Sequence, residues 1–239
     1  MQSAKRGVVF MSFGTVTKSV AMPDETKKAF LDAFATFPDI TFLWKYEKDD
    51  GVADGYKNVV TGQWWPQKDL LVHNKTLLFI THGGANSISE AATAGVPVIA
   101  LPLFGDQSRN ALMAEFRGFG VMLENLDLTK EKIVDALKKV IDNESYNRNA
   151  KELSAIIKAK PYNSDEIFIK YSEFAAKFDL HERLDLYGRK LSTIQFYNLD
   201  VFAFIIGAIV LVVLIAALLL RCCVRCACRR CGKSKSKKD

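Results

Sequence analysis

Cysteine is absent from the first 221 residues, and all five cysteines lie between Cys222 and Cys231. The main part of the chain therefore has no disulfide bonds, and its stability must come from a hydrophobic core, which a domain of this length can form. A tight cysteine cluster can bind zinc, but these cysteines lie among arginines next to a long apolar run. In that setting S-palmitoylation, or no role at all, is the better interpretation.

A secretory signal peptide is also absent from the start of the sequence. Residues 1–6 lead directly into the apolar run 7–13, without the basic, apolar and small-residue segments of a signal peptide. A large folded domain without such a leader, placed ahead of a spanning helix, would be unusual. We therefore expect this sequence to be a fragment of a longer protein.

The sequence contains one long apolar run, Val201–Leu220, in which no side chain is charged or carries an amide. Its length matches the ~20 residues that a helix needs to cross about 30 Å of hydrocarbon, so we predict a transmembrane helix rather than a buried core helix. The residues after it carry eight basic side chains and one acidic, which gives the tail a charge of +7 when the whole chain has +6. This asymmetry predicts a cytosolic tail, with the larger part of the chain across the membrane. It gives no reason to expect a nucleic-acid partner.

Apolar runs of strand length alternate with amphipathic stretches between residues 7 and 117. We predict strands at 8–13, 41–46, 59–61, 77–81 and 98–101, and helices at 24–37, 67–72, 87–94 and 107–117. Fully apolar strands in such an alternation predict a parallel sheet covered on both faces, which is a doubly wound α/β domain.

After residue 123 the pattern is helical only. Helices are predicted at 129–141, 144–159 and 164–178. Phe196 and Tyr197, just before the apolar run, suit the interfacial belt of a membrane protein. The predicted organisation is a sheet-containing domain at 1–178, an amphipathic juxtamembrane segment at 179–200, a transmembrane helix at 201–220 and a basic tail at 221–239.

The most informative segment runs from Trp64 to Gln107. It contains Trp64-Trp65-Pro66-Gln67, a His82-Gly83-Gly84 turn at the end of a predicted strand, and a helix of small residues that opens at Asn86. Backbone N–H groups and a helix N-terminus converge at such a turn, which is the geometry of an anion-binding site. The sequence contains no Asp-x-Asp pair, so no metal site is predicted.

Each of these features also has a simpler structural interpretation. Ser87 and Glu90 have the spacing of a capping box, in which they would only satisfy the first turn of a helix. Trp64 could be a core aromatic, the glycine pair a tight turn, and Asp106 a helix N-cap. The functional interpretation is preferred because all of these features occur together. His73 and His181 are interpreted as structural.

The segment resembles the donor-binding signature of the UDP-glycosyltransferases, in particular the membrane-bound UDP-glucuronosyltransferase type. The resemblance rests on Trp64-x-Pro66-Gln67, Leu70-Leu71-x-His73, Phe79-Ile80-Thr81-His82-Gly83-Gly84-x-Asn86-Ser87, Glu90, Gly95-Val96-Pro97, Pro102 and Asp106-Gln107. A strand that ends in Ser12-Phe13-Gly14-Thr15, a C-terminal spanning helix and a basic tail extend it over the whole chain. It implies a doubly wound, Rossmann-like C-terminal domain of a GT-B glycosyltransferase, followed by a single transmembrane helix.

The same resemblance implies roles for the matched residues. Trp64 would stack on uracil, Trp65 would supply backbone hydrogen bonds to its edge, and Gln67 and Glu90 would hold the ribose hydroxyls. The remaining residues would hold the diphosphate (His82, Asn86, Ser87 and the backbone at Gly83 and Gly84, with Ser12, Gly14 and Thr15 nearby) and the sugar (Asp106 and Gln107). The UDP-sugar is a co-substrate, so no cofactor is implied.

The resemblance also predicts a function: transfer of a hexosyl or glucuronosyl group from a UDP-sugar to a small lipophilic acceptor, with inversion. In the family the general base is a histidine assisted by an aspartate in an N-terminal domain, to which no residue here corresponds. We therefore expect no catalytic base in this chain and leave its stand-alone activity open. The alternative is a non-catalytic membrane protein that binds UDP-sugar or pairs with full-length transferases as a homo- or hetero-oligomer.

For localisation, the resemblance implies the endoplasmic-reticulum membrane, with the globular domain in the lumen. Lys235 and Lys237 resemble a dilysine retrieval signal, and a plain solubilising tail is the alternative. Asn74-Lys75-Thr76 and Asn143-Glu144-Ser145 are N-glycosylation sequons, which are usable only on the lumenal side.

Overall fold

The computed structural model describes residues 4–124, 128–178 and 184–235, and the chain forms two compact units, Met1–Pro161 and Tyr162–Asp239. The predicted sheet-containing domain extends to residue 178, beyond the first unit, and its bounds stay a prediction. His181, Lys237 and the end of the tail lie outside the described residues.

The first unit is built on a sheet of parallel strands in the order β3-β2-β1-β4-β5-β6. The strands are β1 (Gly7–Ser12), β2 (Ile40–Lys45), β3 (Val59–Gly62), β4 (Thr76–Thr81), β5 (Val98–Ala100) and β6 (Gly120–Met122). In the register of β1 and β4, Ser12 lies opposite Thr81, so these two strands end side by side. The predicted parallel sheet is confirmed, and β6 is an additional strand that the sequence pattern did not indicate.

Helices cover both faces of this sheet, as predicted for a doubly wound α/β domain. They are α1 (Asp24–Phe34), α2 (Gln67–Val72), α3 (Ala85–Ala94), α4 (Gln107–Phe116), α5 (Lys130–Ile141) and α6 (Glu144–Lys158). On one face, Val9 and Met11 pack with buried residues of α1 and α5; on the other, Val8 and Phe10 pack with buried residues of α2, α3, α4 and α6. The alternation along β1 follows from the two-residue period of a strand, which sends successive side chains to opposite faces.

Backbone hydrogen bonding and a glycine explain where two of these helices end. The helix α1 ends at Phe34 rather than at the predicted residue 37, because the N–H groups of Thr36 and Phe37 bond three residues back, to Ala33 and Phe34, in a tightened last turn. The helix α3 ends at Ala94 and is capped by Gly95, whose φ of 75° lies in the left-handed region that glycine adopts without a Cβ penalty.

The second unit contains α7 (Ser164–Lys177), a 3-10 turn (Tyr187–Lys190), the short helix α8 (Thr193–Phe196) and the long helix α9 (Leu199–Lys235). No residue of α7, the turn or α8 is buried. Within α9, the segment Leu199–Cys222 is long and apolar enough to cross a membrane. It contains the predicted span 201–220, and the helix continues into the basic tail because no proline interrupts it there.

Candidate functional site

A cleft of about 770 Å³ opens at the carboxyl edge of the sheet, where the loops after β1 and β4 meet. This is the point at which the strand order reverses, the usual ligand site of open α/β sheets. Every residue proposed from the sequence lines the cleft except Gly83: Ser12, Gly14, Thr15, Trp64, Trp65, Gln67, His82, Gly84, Asn86, Ser87, Glu90, Asp106 and Gln107. The tertiary structure thus brings four separate regions of the chain, those after β1, β3, β4 and β5, to one place.

The two tryptophans have different environments. Trp65 lies over Gly62, where a Cβ would come within 2.9 Å of its indole ring, and its Nε1–H donates to the carbonyl of Trp44 at 3.4 Å. The Trp64 side chain is 72% exposed on the wall of the cleft. The alternative of a core aromatic is therefore wrong for Trp64, whose ring is presented to solvent as a flat apolar surface.

Gln67 connects α2 with α3. Its Nε2 group donates to Glu90 Oε2 at 2.8 Å and to Ser87 Oγ at 3.4 Å. The helix α3 begins at Ala85, with Gly84 as its N-cap and no capping side chain, so the capping-box interpretation of Ser87 and Glu90 is wrong. The carboxylate of Glu90 is oriented by an amide and keeps further lone pairs, which suits it to accept from hydroxyl groups of a ligand.

His82 follows β4 and is in close contact with two glycines. A Cβ at Gly14, whose φ is +84°, would lie 2.9 Å from His82 Cε1, and a Cβ at Gly84 would lie 2.5 Å from His82 Nε2. Only glycine fits at these two positions while the imidazole stays in place. The loop after β1 and the turn after β4 therefore approach each other through the histidine ring.

The charge state of this histidine is set by burial. Burial lowers the pKa of His82 below its usual value, and the nearby Asp106 carboxylate opposes this only in part. The imidazole is therefore mainly neutral at pH 7. Its Nδ1 lies 3.4 Å from Thr81 Oγ1, which also accepts from the Gly83 N–H, so the neutral ring keeps one N–H donor and one acceptor nitrogen.

The segment around Asp106 and Gln107 is organised by side-chain bonds to the backbone. Gln107 is buried, and its Oε1 accepts from the N–H groups of Leu103 and Phe104 at 2.8 and 3.0 Å. Only its amide NH₂ group is then left for a ligand. Asp106 is the N-cap residue of α4, as its simpler interpretation expected, but its side chain makes no capping bond.

Asn110 bonds both to Gly83, in the turn after β4, and to Asp106. Its Nδ2 group donates to Asp106 Oδ2 at 2.8 Å and to the Gly83 carbonyl at 3.1 Å. A Cβ at Gly83 would come within 3.0 Å of the backbone carbonyl of Gln107, so this glycine packs against the start of α4 behind the cleft. Asn110 thereby couples the turn after β4 to the carboxylate of Asp106.

Several further residues line the cleft that sequence reasoning did not select: Phe10, Val16, Thr17, Lys45, Pro66, Lys68, Asp69, Ala85 and Phe104. Lys45 stands out among them because it is a charged residue with only 8% exposure at the end of the apolar strand β2. A lysine at the end of a mainly apolar strand was the feature of the sequence that could have identified this residue as part of the cleft.

The family of this chain is established by its similarity to known proteins. The family model described as "UDP-glucoronosyl and UDP-glucosyl transferase" matches residues 1–238. The chain belongs to this family. Mouse UDP-glucuronosyltransferase 1A9 is 35% identical over 241 residues, which cover 99% of this chain and 44% of the mouse protein. UDP-glucosyltransferase 2 of Dactylopius coccus is 34% identical over 206 residues, 86% of this chain and 39% of that protein.

A solved glycosyltransferase has the same fold. The crystal structure of a UDP-glucose: anthocyanidin 3-O-glucosyltransferase in complex with UDP matches with a TM-score of 0.63 at 26% identity, over 74% of this chain and 42% of that one. The predicted Rossmann-like domain of a GT-B glycosyltransferase is thus confirmed. This UDP-glycosyltransferase chain spans about two fifths of the length of the relatives it matches.

Proposed function

We propose that this chain is the donor-binding half of a UDP-glycosyltransferase that moves a hexosyl or glucuronosyl group to a small lipophilic acceptor. The observation that carries the proposal is the cleft at the switch point, which brings the exposed Trp64 ring, the Gln67–Glu90 pair and the neutral His82 to one edge of the sheet. A solved relative holds UDP, which supports a nucleotide as the ligand. The non-catalytic alternative has no comparable support, since the matched proteins bear transferase names.

In this proposal the donor lies along the cleft with its parts matched to the side chains. Uracil stacks on Trp64 and meets the backbone of Trp65, while the ribose hydroxyls donate to Glu90 beside Gln67. The diphosphate meets His82, Asn86, Ser87 and the N–H groups at the start of α3, near Ser12 and Thr15. The sugar lies towards Asp106 and the free amide group of Gln107.

The chemistry follows from where charge develops. As the acceptor oxygen bonds to the anomeric carbon from one side, the bond from that carbon to the β-phosphate oxygen breaks on the other, which inverts the configuration. The acceptor proton passes to a base in a preceding domain, and UDP leaves with an additional negative charge. Preorganised backbone N–H groups, the N-terminal end of α3 and the imidazole N–H of His82 stabilise that charge without having to reorganise.

Membrane placement is the second part of the proposal. The span Leu199–Cys222 would anchor the chain once in the endoplasmic-reticulum membrane, with the sheet in the lumen and the basic tail in the cytosol. The sequons fit this placement, because Asn74 lies just before β4, while Asn143, the N-cap of α6, lines a second cavity with Leu77 and Pro97 near the starts of β4 and β5. Both asparagines are exposed near the amino edge of the sheet, opposite the donor cleft. Glycans attached there would leave the cleft open.

A binding measurement with the purified chain tests the donor site. We expect Trp64→Ala to weaken UDP binding by about 5- to 150-fold, since a stacking contact with a base is worth roughly 1–3 kcal/mol, whereas Trp64→Phe keeps a ring and loses less. Phe116→Ala is the matched control, because Phe116 is 85% exposed and does not line the cleft. Isothermal titration gives the dissociation constants. Equal affinities for the wild type and Trp64→Ala would contradict the proposed site.

Turnover and topology are measured separately. A phenolic acceptor and a UDP-sugar incubated with the chain alone should give no product, because the base is expected elsewhere, and product formation would contradict that assignment.

The lumenal placement is tested by endoglycosidase treatment of microsomes. If the electrophoretic mobility of the protein does not change, Asn74 and Asn143 carry no lumenal glycans that the enzyme removes, which argues against the placement.

A further inference from the structure

Lys45 contacts two separate parts of the proposed donor cleft, the loop after β1 and the exposed Trp64. Its Nζ donates to the carbonyl of Gly14 at 2.6 Å and lies 5.6 Å from the centre of the Trp64 ring. Glu47 Oε1 lies 3.4 Å from the same ammonium group and supplies the opposite charge. One cation thus touches the loop after β1 and the exposed tryptophan, which are far apart in sequence.

The contacts of Lys45 belong to a wider attachment of the loop after β1 to the end of β2. Ser19 Oγ donates to the backbone carbonyl of Lys45 at 2.8 Å, and the Val20 N–H donates to Glu47 Oε2 at 3.2 Å. On its other side, Gly14 is in close contact with the His82 ring. The peptide at Gly14 therefore has a lysine on one side and a histidine on the other.

We propose that Lys45 is a positioning residue of the donor cleft, which holds the loop after β1 in place and orients the Trp64 ring. This inference rests on the proposed function for its effect on donor binding, but not for its effect on the loop. The ammonium offers three donors to a carbonyl and a carboxylate, and its charge attracts the face of the indole. An apolar side chain of similar length would fill the space but remove the ammonium group from the Gly14 carbonyl and from Glu47 Oε1.

The physical consequence is preorganisation. A ring that is 72% exposed would otherwise sample several rotamers, and a loop with glycine at φ +84° would sample several backbone conformations. Freezing such groups during binding costs free energy, so a cleft that is already ordered binds more tightly. Lys45 supplies this order from β2, which is itself fixed in the sheet between β1 and β3.

The test uses Lys45→Met, Lys45→Arg and a matched control, Lys48→Met. Lys48 lies three residues along the same segment, is well exposed and pairs with Asp50 at 3.6 Å. We expect Lys45→Met to weaken UDP binding by about tenfold, given the loss of charge-assisted hydrogen bonds and of the cation–π contact. Lys45→Arg keeps the charge and the donors and should stay within about threefold of the wild type, as should Lys48→Met. A general loss of packing would not be rescued by arginine.

Hydrogen exchange without any ligand separates this inference from the proposed function. In Lys45→Met the amides of residues 14–20 should exchange about tenfold faster than in the wild type, while those of β1 and β4 stay protected. Unchanged exchange in this loop, UDP affinity within twofold of the wild type, or an arginine variant as weak as methionine would overturn the role of Lys45. If the wild type itself does not bind UDP, the proposed function fails, and the exchange of residues 14–20 still decides the role of Lys45.

Discussion

The two compact units differ in how they use their large apolar side chains. In the first unit, Phe34 and Phe42 are fully buried and stack on each other with ring centres 4.0 Å apart. In the second unit, Phe168 of α7 is 73% exposed and Phe204 of α9 is 78% exposed. The first unit is stabilised by its own core. In the second unit, the described residues do not cover the apolar side chains, which would be stable only in an apolar environment. For α9 a bilayer would supply that environment, since Leu199–Cys222 is long and apolar enough to cross one.

The largest effect should come from charging the apolar helix of the second unit. Replacing Ile206, Val210 and Leu214 together by arginine puts three charges on one face of α9, each at a cost of roughly 2.5–3.5 kcal/mol at the centre of a membrane. We expect the protein to move from the alkali-resistant membrane pellet to the soluble or aggregated fraction. Replacing the same three residues by other aliphatic residues is the control. Membrane retention of the triple arginine variant would mean that α9 is not the anchor.

Two phenylalanine substitutions test whether buried side chains stabilise the first unit more than exposed ones stabilise the second. Phe34→Ala should lower the free energy of unfolding by about 3–5 kcal/mol, because it leaves a cavity in a packed core. Phe168→Ala should change it by less than about 0.5 kcal/mol, because this side chain is largely exposed and no residue of α7 is buried. Urea denaturation followed by tryptophan fluorescence measures both. A large loss in Phe168→Ala would show that α7 is covered in solution.

A smaller effect concerns His82, which is partly buried within the otherwise well-packed first unit. Since burial lowers its pKa in the folded state, the unfolded chain binds the proton more readily. Its contribution to stability is therefore fully present above the unfolded pKa of about 6.5 and is lost as pH falls through that value towards the lower folded pKa. We expect His82→Gln to be less sensitive to acid than the wild type over this window, by at most about 1.4 kcal/mol per pH unit.

Denaturation midpoints at several pH values, for the wild type and His82→Gln, give the difference directly. The control is the same substitution at His73, whose Nδ1 accepts from the Lys75 N–H in a turn away from the cleft. Parallel pH profiles for the wild type and His82→Gln would contradict the assignment of a neutral histidine.

The elements that the sequence predicted well are those with long, regular patterns. Five of the six strands and the six helices of the sheet-containing unit begin and end within three residues of the predicted bounds. The strand β6 was missed because it opens on Gly120 and has one β-branched residue, whereas β5, which is equally short, has two (Val98 and Ile99). The end of α1 was placed too late because Phe37 continues the apolar pattern although the backbone has already turned.

For the site, the motif spacing located the residues but not what they do to one another. Ser87 and Glu90 have the spacing of a capping box, yet their partner is Gln67 on a different helix. Gln107 was expected to face the sugar, yet its carbonyl oxygen is used to hold the backbone at Leu103 and Phe104. Lys45 and Asn110 belong to no motif, and only the packing of β2 and α4 against the loops shows that they support the cleft.

The sequence alone therefore determined the fold class, the family and the apolar span, since each depends on the order and period of residues along the chain. The tertiary structure alone decided which tryptophan is exposed, which amide orients the glutamate, and that a lysine from β2 contacts both Gly14 and Trp64. These contacts connect residues roughly 20 to 70 positions apart, so they exist only once parallel strands have aligned their carboxyl ends at one edge of the sheet.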